Sequence, residues 1–119
     1  MKRTVPDMLA SASKLVSGSD LLSAERLYLS NLNSLGAEVS DSDVLAVVRR
    51  LGELRYEKVA VYEEGERKNI RQYDEFSRRY TTWENKLFRV EQEAKLLGWL
   101  LEAVAPRYAA PRTTKRKQR

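Results

Sequence analysis

The stretch YDEFSRRYTTWENKLFRVEQEAKLLGWLLEAV, residues 73–104, decides the fold. In it Tyr73, Phe76, Tyr80, Trp83, Leu87, Val90, Ala94, Leu97, Leu101 and Val104 follow one another at alternating steps of three and four residues without a break. This is a heptad seam, the periodicity of a helix whose apolar stripe packs on another helix. The spacing predicts one long helix over residues 70–105, about 50 Å long at 1.5 Å per residue. Four large aromatics crowd its N-terminal half, and rings are broad for the layers of a two-stranded coiled coil, so a thicker bundle or an intramolecular partner is expected. Leu96, Trp99 and Leu100 lie beside the seam and widen the apolar face toward its C-terminal end. Two readings of that face stay open. It closes the chain's own core, or part of it is exposed as a protein–protein interface or self-association surface made of Tyr73, Phe76, Tyr80, Trp83, Leu87, Val90, Leu97 and Leu101.

Working back from the seam, every segment reads as helix and none as strand. Ser40-Asp41-Ser42-Asp43 places short acceptors and negative charge at the head of a third helix, suiting its orphan N–H groups and its dipole. Val44, Val47, Val48, Leu51, Leu54, Val59 and Tyr62 then form a wide stripe, with Gly52 inside it. Glu63-Glu64-Gly65-Glu66-Arg67-Lys68-Asn69 has no hydrophobic side chain, and its glycine costs about 1 kcal/mol in a helix interior. With no burial to hold seven polar residues helical, the third helix is expected over 41–64, followed by a bend or frayed loop near Gly65. Residues 1–36 hold two shorter helices. The first starts at Thr4, with Pro6 in its first turn and Asp7 closing a capping box, and buries Val5, Leu9, Ala12 and Val16 with Met8 and Leu15 beside them. Gly18 ends it. Ser19 or Asp20 caps the second, whose stripe is Leu21, Leu22, Leu27, Tyr28, Leu32 and Leu35, and Gly36 is its expected C-terminal cap. The fold class is therefore all-α: a bundle of three to four helices in a single domain, residues 1–105, with a long heptad-patterned C-terminal helix.

The 119 residues carry 22 Lys and Arg against 17 Asp and Glu, a net charge of +5. The excess lies at one end: Arg107, Arg112, Lys115, Arg116, Lys117 and Arg119 follow Pro106 with no acidic residue among them, which leaves residues 1–105 at −1. Pro106 and Pro111 oppose helix there and nothing is available to bury, so residues 106–119 read as a disordered basic tail. Such an arm attracts phosphate without reading sequence, RNA sooner than DNA here, or else serves only solubility.

Composition removes much chemistry. With neither Cys nor His, disulfides, thiolate or imidazole metal sites, Ser-His or Cys nucleophiles and histidine acid–base catalysis are all excluded. The five glycines are isolated from one another, so no phosphate-cradling loop forms. Asp41 and Asp43 continue as Val-Leu-Ala where a calcium loop needs further ligands, and capping accounts for both. The expectation is no enzyme, no metal, no cofactor and no small-molecule substrate. Arg71, Arg78, Arg79, Lys86 and Arg89 interleave with Tyr73, Tyr80 and Trp83, a mixture that stacks on single-stranded nucleic acid elsewhere. Here the aromatics sit on the seam, which points to core. No apolar run reaches the roughly 18 residues that span a bilayer and no apolar h-region opens the chain, so no membrane contact is expected. The expected location is the cytoplasm or an organellar matrix, mitochondrial included, and not the secretory route.

The run from Val39 through Ser40-Asp41-Ser42-Asp43-Val44-Leu45-Ala46-Val47-Val48-Arg49-Arg50, with Arg55, Tyr62-Glu63, Arg67 and Ile70 beyond it, resembles the YqeY family. That family shares a helical domain with the B subunit of tRNA-dependent amidotransferases. The preceding break Gly18-Ser19-Asp20 and the leucine-rich helix with Arg26-Leu27 are similar too, so the likeness covers about residues 5–70. The heptad helix and basic tail replace the family's acid-rich helix and second small domain. The resemblance implies a non-catalytic module beside tRNA or rRNA, with Arg49, Arg50, Arg55 and Arg67 as the matched basic positions. The competing expectations are a structural coiled-coil subunit of a larger assembly and a DNA-binding or packaging accessory protein.

Overall fold

The computed structural model describes residues 2–73 and 76–109. Among them are four α-helices and no strand. Helix α1, Val5–Leu15, starts as its sequence dictates: the Thr4 hydroxyl accepts from the Asp7 N–H and the Asp7 carboxylate accepts from the Thr4 N–H. Helix α2, Leu21–Leu32, is capped by Asp20, which accepts from the Ser23 N–H. Gly36 does not cap it. The helix turns out at Asn33, and Gly36 instead donates to the Arg3 carbonyl while Arg3 donates to that of Ser34, tying the chain's start to the end of α2 in a short parallel bridge.

Helix α3, Asp41–Arg67, begins at Ser40 with a second capping box, closed by Asp43. It runs 27 residues, about 40 Å, and does not bend at Gly65. The expected break is displaced to Lys68 and Asn69, where Asn69 takes the left-handed conformation (φ 51°) that asparagine tolerates. Burial absent from the local sequence is supplied across the bundle. Trp83 lies on Gly65, and its indole Nε1–H donates to the Val61 carbonyl one turn back (2.7 Å). Lys68 and Lys86 both pair with Glu64.

A short 3₁₀ turn, Ile70–Gln72, reverses the chain, and Ile70 plugs the turn, 2% exposed. Helix α4 is Arg78–Ala109 rather than residues 70–105. Tyr73 and Phe76 fall outside it, and Phe76 is 86% exposed, so the first two seam positions belong to the turn and not to a core. At the other end α4 continues past Pro106. The proline removes one backbone N–H, but the final turn is anchored from outside. Arg107 donates to the Gly36 carbonyl (3.1 Å) and to the Ala103 carbonyl, and the Tyr108 hydroxyl meets Asp41 (2.6 Å).

Helices α3 and α4 form a long antiparallel hairpin, registered by Arg50 on Glu93, Lys58 on Glu91 and Glu64 on Lys86. α1 and α2 pack on its open end, giving a four-helix head with a two-helix stalk, 66 × 26 × 15 Å overall. The core sits in the head: Val5, Met8 and Ala12 meet Tyr28, Val47 and Leu54 and, on α4, Leu96, Leu97, Leu100 and Val104. Leu96 and Leu100 are thus fully buried and offer no partner surface. In α2 only Ala24 and Tyr28 are buried, while Leu22 and Leu27 point outward, because α2 packs on two neighbours rather than being enclosed.

Candidate functional site

The hairpin presents two unequal faces. One is covered by α1, whose Leu9, Ala10 and Ser13 border Ala46, Arg49 and Glu53. Beneath α1 the buried Glu93 carboxylate, 5% exposed, receives Arg50 in a two-pronged pair, Nε to Oε2 at 2.8 Å and Nη2 to Oε1 at 3.0 Å. Arg50 also reaches Glu53 and Glu57 at 3.0 Å. Glu93 above all, and then the other carboxylates, push the guanidinium further into its charged form. Nearby the Tyr28 hydroxyl donates to the Met8 carbonyl, and burial, with the Glu93 charge behind it, pushes its ionisation up.

The opposite face is open among the described residues. A groove of about 610 Å³ runs along it, walled on α3 by Val48 and Leu51 and on α4 by Val90, Ala94 and Leu101, with the Lys58–Glu91 ion pair (3.0 Å) at its end toward the turn. No residue of α1 or α2 lines it. Val48 is half exposed there, at 49%. A Cβ added at Gly52, on the groove wall, would meet nothing within 4 Å. The seam explains the groove. Leu97 and Val104 are fully buried, whereas Tyr80, Trp83, Leu87, Val90 and Leu101 are only partly covered by α3.

The arginines that the YqeY-like pattern singles out do not form one patch. Arg50 is held by three carboxylates beneath α1, and Arg49 borders α1. Arg55 lies on the rim of the open groove. Arg67, twelve residues on, sits about 18 Å further along the helix, at the turn. Of the basic tail, Arg107 is part of α4 and its guanidinium serves backbone carbonyls, while Arg112, Lys115, Arg116, Lys117 and Arg119 lie outside the described residues.

Sequence reading did not find the cleft at the turn, about 330 Å³, lined among the described residues by Lys68, Arg78, Arg79 and Lys86 with one carboxylate, Glu64. The basic–aromatic interleaving is its signal, which the sequence alone assigns to core because Tyr73, Tyr80 and Trp83 stand at seam positions. Among the described residues no three carboxylates gather as a metal site, and no helix is long and apolar enough to cross a membrane. No family model matches the chain, and no curated protein or solved structure matches it either.

Proposed function

We propose that this chain is a non-catalytic helical assembly module, and that the open face of its α3–α4 hairpin receives an amphipathic helix. The observation that carries this is the groove: an apolar trough between two helices, with half-exposed Val48 on one wall, Ala94 and Leu101 on the other, and Gly52 leaving room at the wall of α3. Helices pack 8–10 Å apart, closer where the facing residues are small. A third helix laid here would meet Val48, Leu51, Val90 and Leu101, completing on this side the layer that α1 completes on the other. The head fixes the hairpin's register, so the trough is preformed, which reduces the ordering cost of docking. An RNA-associated role through Arg49, Arg55 and Arg67 would have to do without Arg50 and to bridge separated surfaces.

The test is solution mass by light scattering on the full chain, alongside Val48→Asp. If the docked helix comes from a second copy, the wild type is an oligomer that the variant dissolves while its helical circular dichroism is retained. If the wild type is a monomer, a photo-crosslinker placed at position 48 should join it to one partner through a helical segment. A monomer that forms no such adduct overturns the proposal.

A further inference from the structure

Where α4 begins, the chain departs from the pattern of α1 and α3, and also from α2, which has no acid in its first turn but is capped by Asp20. The first turns of α1 and α3 carry Asp7, Asp41 and Asp43, whereas α4 opens on Arg78-Arg79 with no acidic residue in its first turn. Two cations at the positive end of a helix dipole are locally unfavourable. Local costs of this kind concentrate where a function compensates them. Here both arginines face the cleft beside the turn, together with Lys68 from the end of α3 and Lys86 from the third turn of α4.

Among the described residues, four cations against Glu64 leave the cleft at about +3. Lys68 first and Lys86 second, at 2.9 and 3.3 Å, lower the pKa of Glu64, and the shared carboxylate keeps the two lysines side by side. Arg79 is held too. Its Nη1 donates to the Tyr73 hydroxyl (2.7 Å) and its guanidinium lies 5.1 Å from that ring's centre. Arg78 has no carboxylate within ion-pair distance among the described residues. Ile70 and Trp83 add apolar surface to the lining, and Thr82 completes it. A cationic, partly enclosed site with apolar surface in its lining and guanidinium forks suits a phosphate better than a lone carboxylate, since phosphate offers more oxygens to share among the donors. Just outside, Tyr73 is 39% exposed, with its ring centre 5.1 Å from the Arg79 guanidinium. Phosphate sites flanked by aromatics are how single strands are held without sequence readout.

We infer that the cleft between the end of α3 and the start of α4 is a single-stranded nucleic-acid site, in which Arg78, Arg79, Lys68 and Lys86 hold a backbone phosphodiester and Tyr73 takes a neighbouring base. It is independent of the groove, which lies further down the hairpin.

The test keeps the full chain and reads the site locally. In a Trp99→Phe background Trp83 is the sole tryptophan and lines the cleft. Its fluorescence is followed while an oligouridylate of about 12 nucleotides is added at about 50 and 200 mM salt. The expected result is a saturable change in Trp83 emission. Arg78→Gln with Arg79→Gln should weaken the affinity by about tenfold or more and lower the slope of log affinity against log salt by about 1.5, since each phosphate contact contributes about 0.7 on a single strand. Lys86→Gln should weaken it less. Circular dichroism checks that each variant stays helical. Binding seen by anisotropy of labelled oligonucleotide with no change at Trp83, or an undiminished affinity in the double variant, places the contact elsewhere and overturns the inference. So does equal competition by oligoglutamate, which would mean charge alone, or saturation by inorganic phosphate that oligouridylate cannot displace.

Discussion

Gly65→Ala should destabilise the protein although the position is helical. In an ordinary helix interior the change is favourable by about 1 kcal/mol. Here the new Cβ would stand 2.7 Å from Nε1 and 2.9 Å from Cε2 of Trp83, distances at which one group must move. The indole is rigid, and its Nε1–H is already committed to the Val61 carbonyl, which it reaches only because residue 65 has no side chain. Retreat of the ring forfeits that bond, about 0.5–1.5 kcal/mol, and overpacking costs about 1–3 kcal/mol. The net is a loss of about 0.5–3.5 kcal/mol. Gly52→Ala and Gly98→Ala meet nothing within 4 Å and should gain about 0.5–1 kcal/mol each. Urea unfolding followed by circular dichroism gives the three midpoints. In the Trp83→Phe background the penalty at position 65 should shrink, with a coupling energy of about 1 kcal/mol. If Gly65→Ala stabilises the chain as much as Gly52→Ala does, α3 and α4 do not meet in this register and the account of the unbroken α3 fails.

Stability should be flat between about pH 5 and 8, for the chain has no histidine. Asp7, Asp20, Glu25 and Glu64 all have lowered pKa values, from capping hydrogen bonds in the aspartates and from lysine or glutamine partners in the glutamates. Their contribution is complete above the ordinary carboxylate range and lost as pH falls below it, so thermal midpoints should start to drop below about pH 4.5. Tyr28 ionises less readily folded than unfolded, so stability should also fall above about pH 10. Glu93→Ala, which strands Arg50 with only its two more exposed partners, should cost about 1–3 kcal/mol, whereas Glu53→Ala should cost under about 1; chemical denaturation separates them. Arg107→Gln should lower stability by about 1 kcal/mol through the lost Gly36 carbonyl contact, and an unchanged unfolding midpoint would return Arg107 to the tail.

Much of the fold was legible because it is written in short-range chemistry. Thr4 with Asp7 and Ser40 with Asp43 are complete signals within four residues, and both helix starts fall where they indicate. The heptad seam names α4 for the same reason. What failed depends on contacts between segments. Gly65 looks like a breaker until Trp83 is placed on it, and that contact depends on the hairpin's register, which no local pattern supplies. Pro106 looks terminal until Arg107 and Tyr108 find Gly36 and Asp41, some 70 residues away. The seam overran its helix because Tyr73 and Phe76 stand three and four residues apart from their successors in sequence although both precede α4, so spacing alone carries the period into the reversal. The same artefact hid the cleft at the turn, since it placed Tyr73 in a core that is not there.

The division of the seam follows from geometry. Two antiparallel helices in contact leave a trough on each side of their contact line, and a third helix fills only one. α1 fills the trough on the Arg50–Glu93 side, and α2 leans on the same half of α4, where Glu25 takes Lys95 and Gln92. Burial therefore shifts around α4 toward Leu96 and Leu100, off the strict seam, while the seam's other edge at Val90, Ala94 and Leu101 stays half covered. A chain that needed only its own core could leave polar residues on that edge, as surface helices ordinarily do. Here Val48 and Val59 on α3 are large and apolar and about half exposed, and they extend that apolar edge onto α3, where no other described segment covers them. The head therefore stabilises the hairpin from one side and leaves the other uncovered by any described segment, which is the face the proposed assembly partner would take.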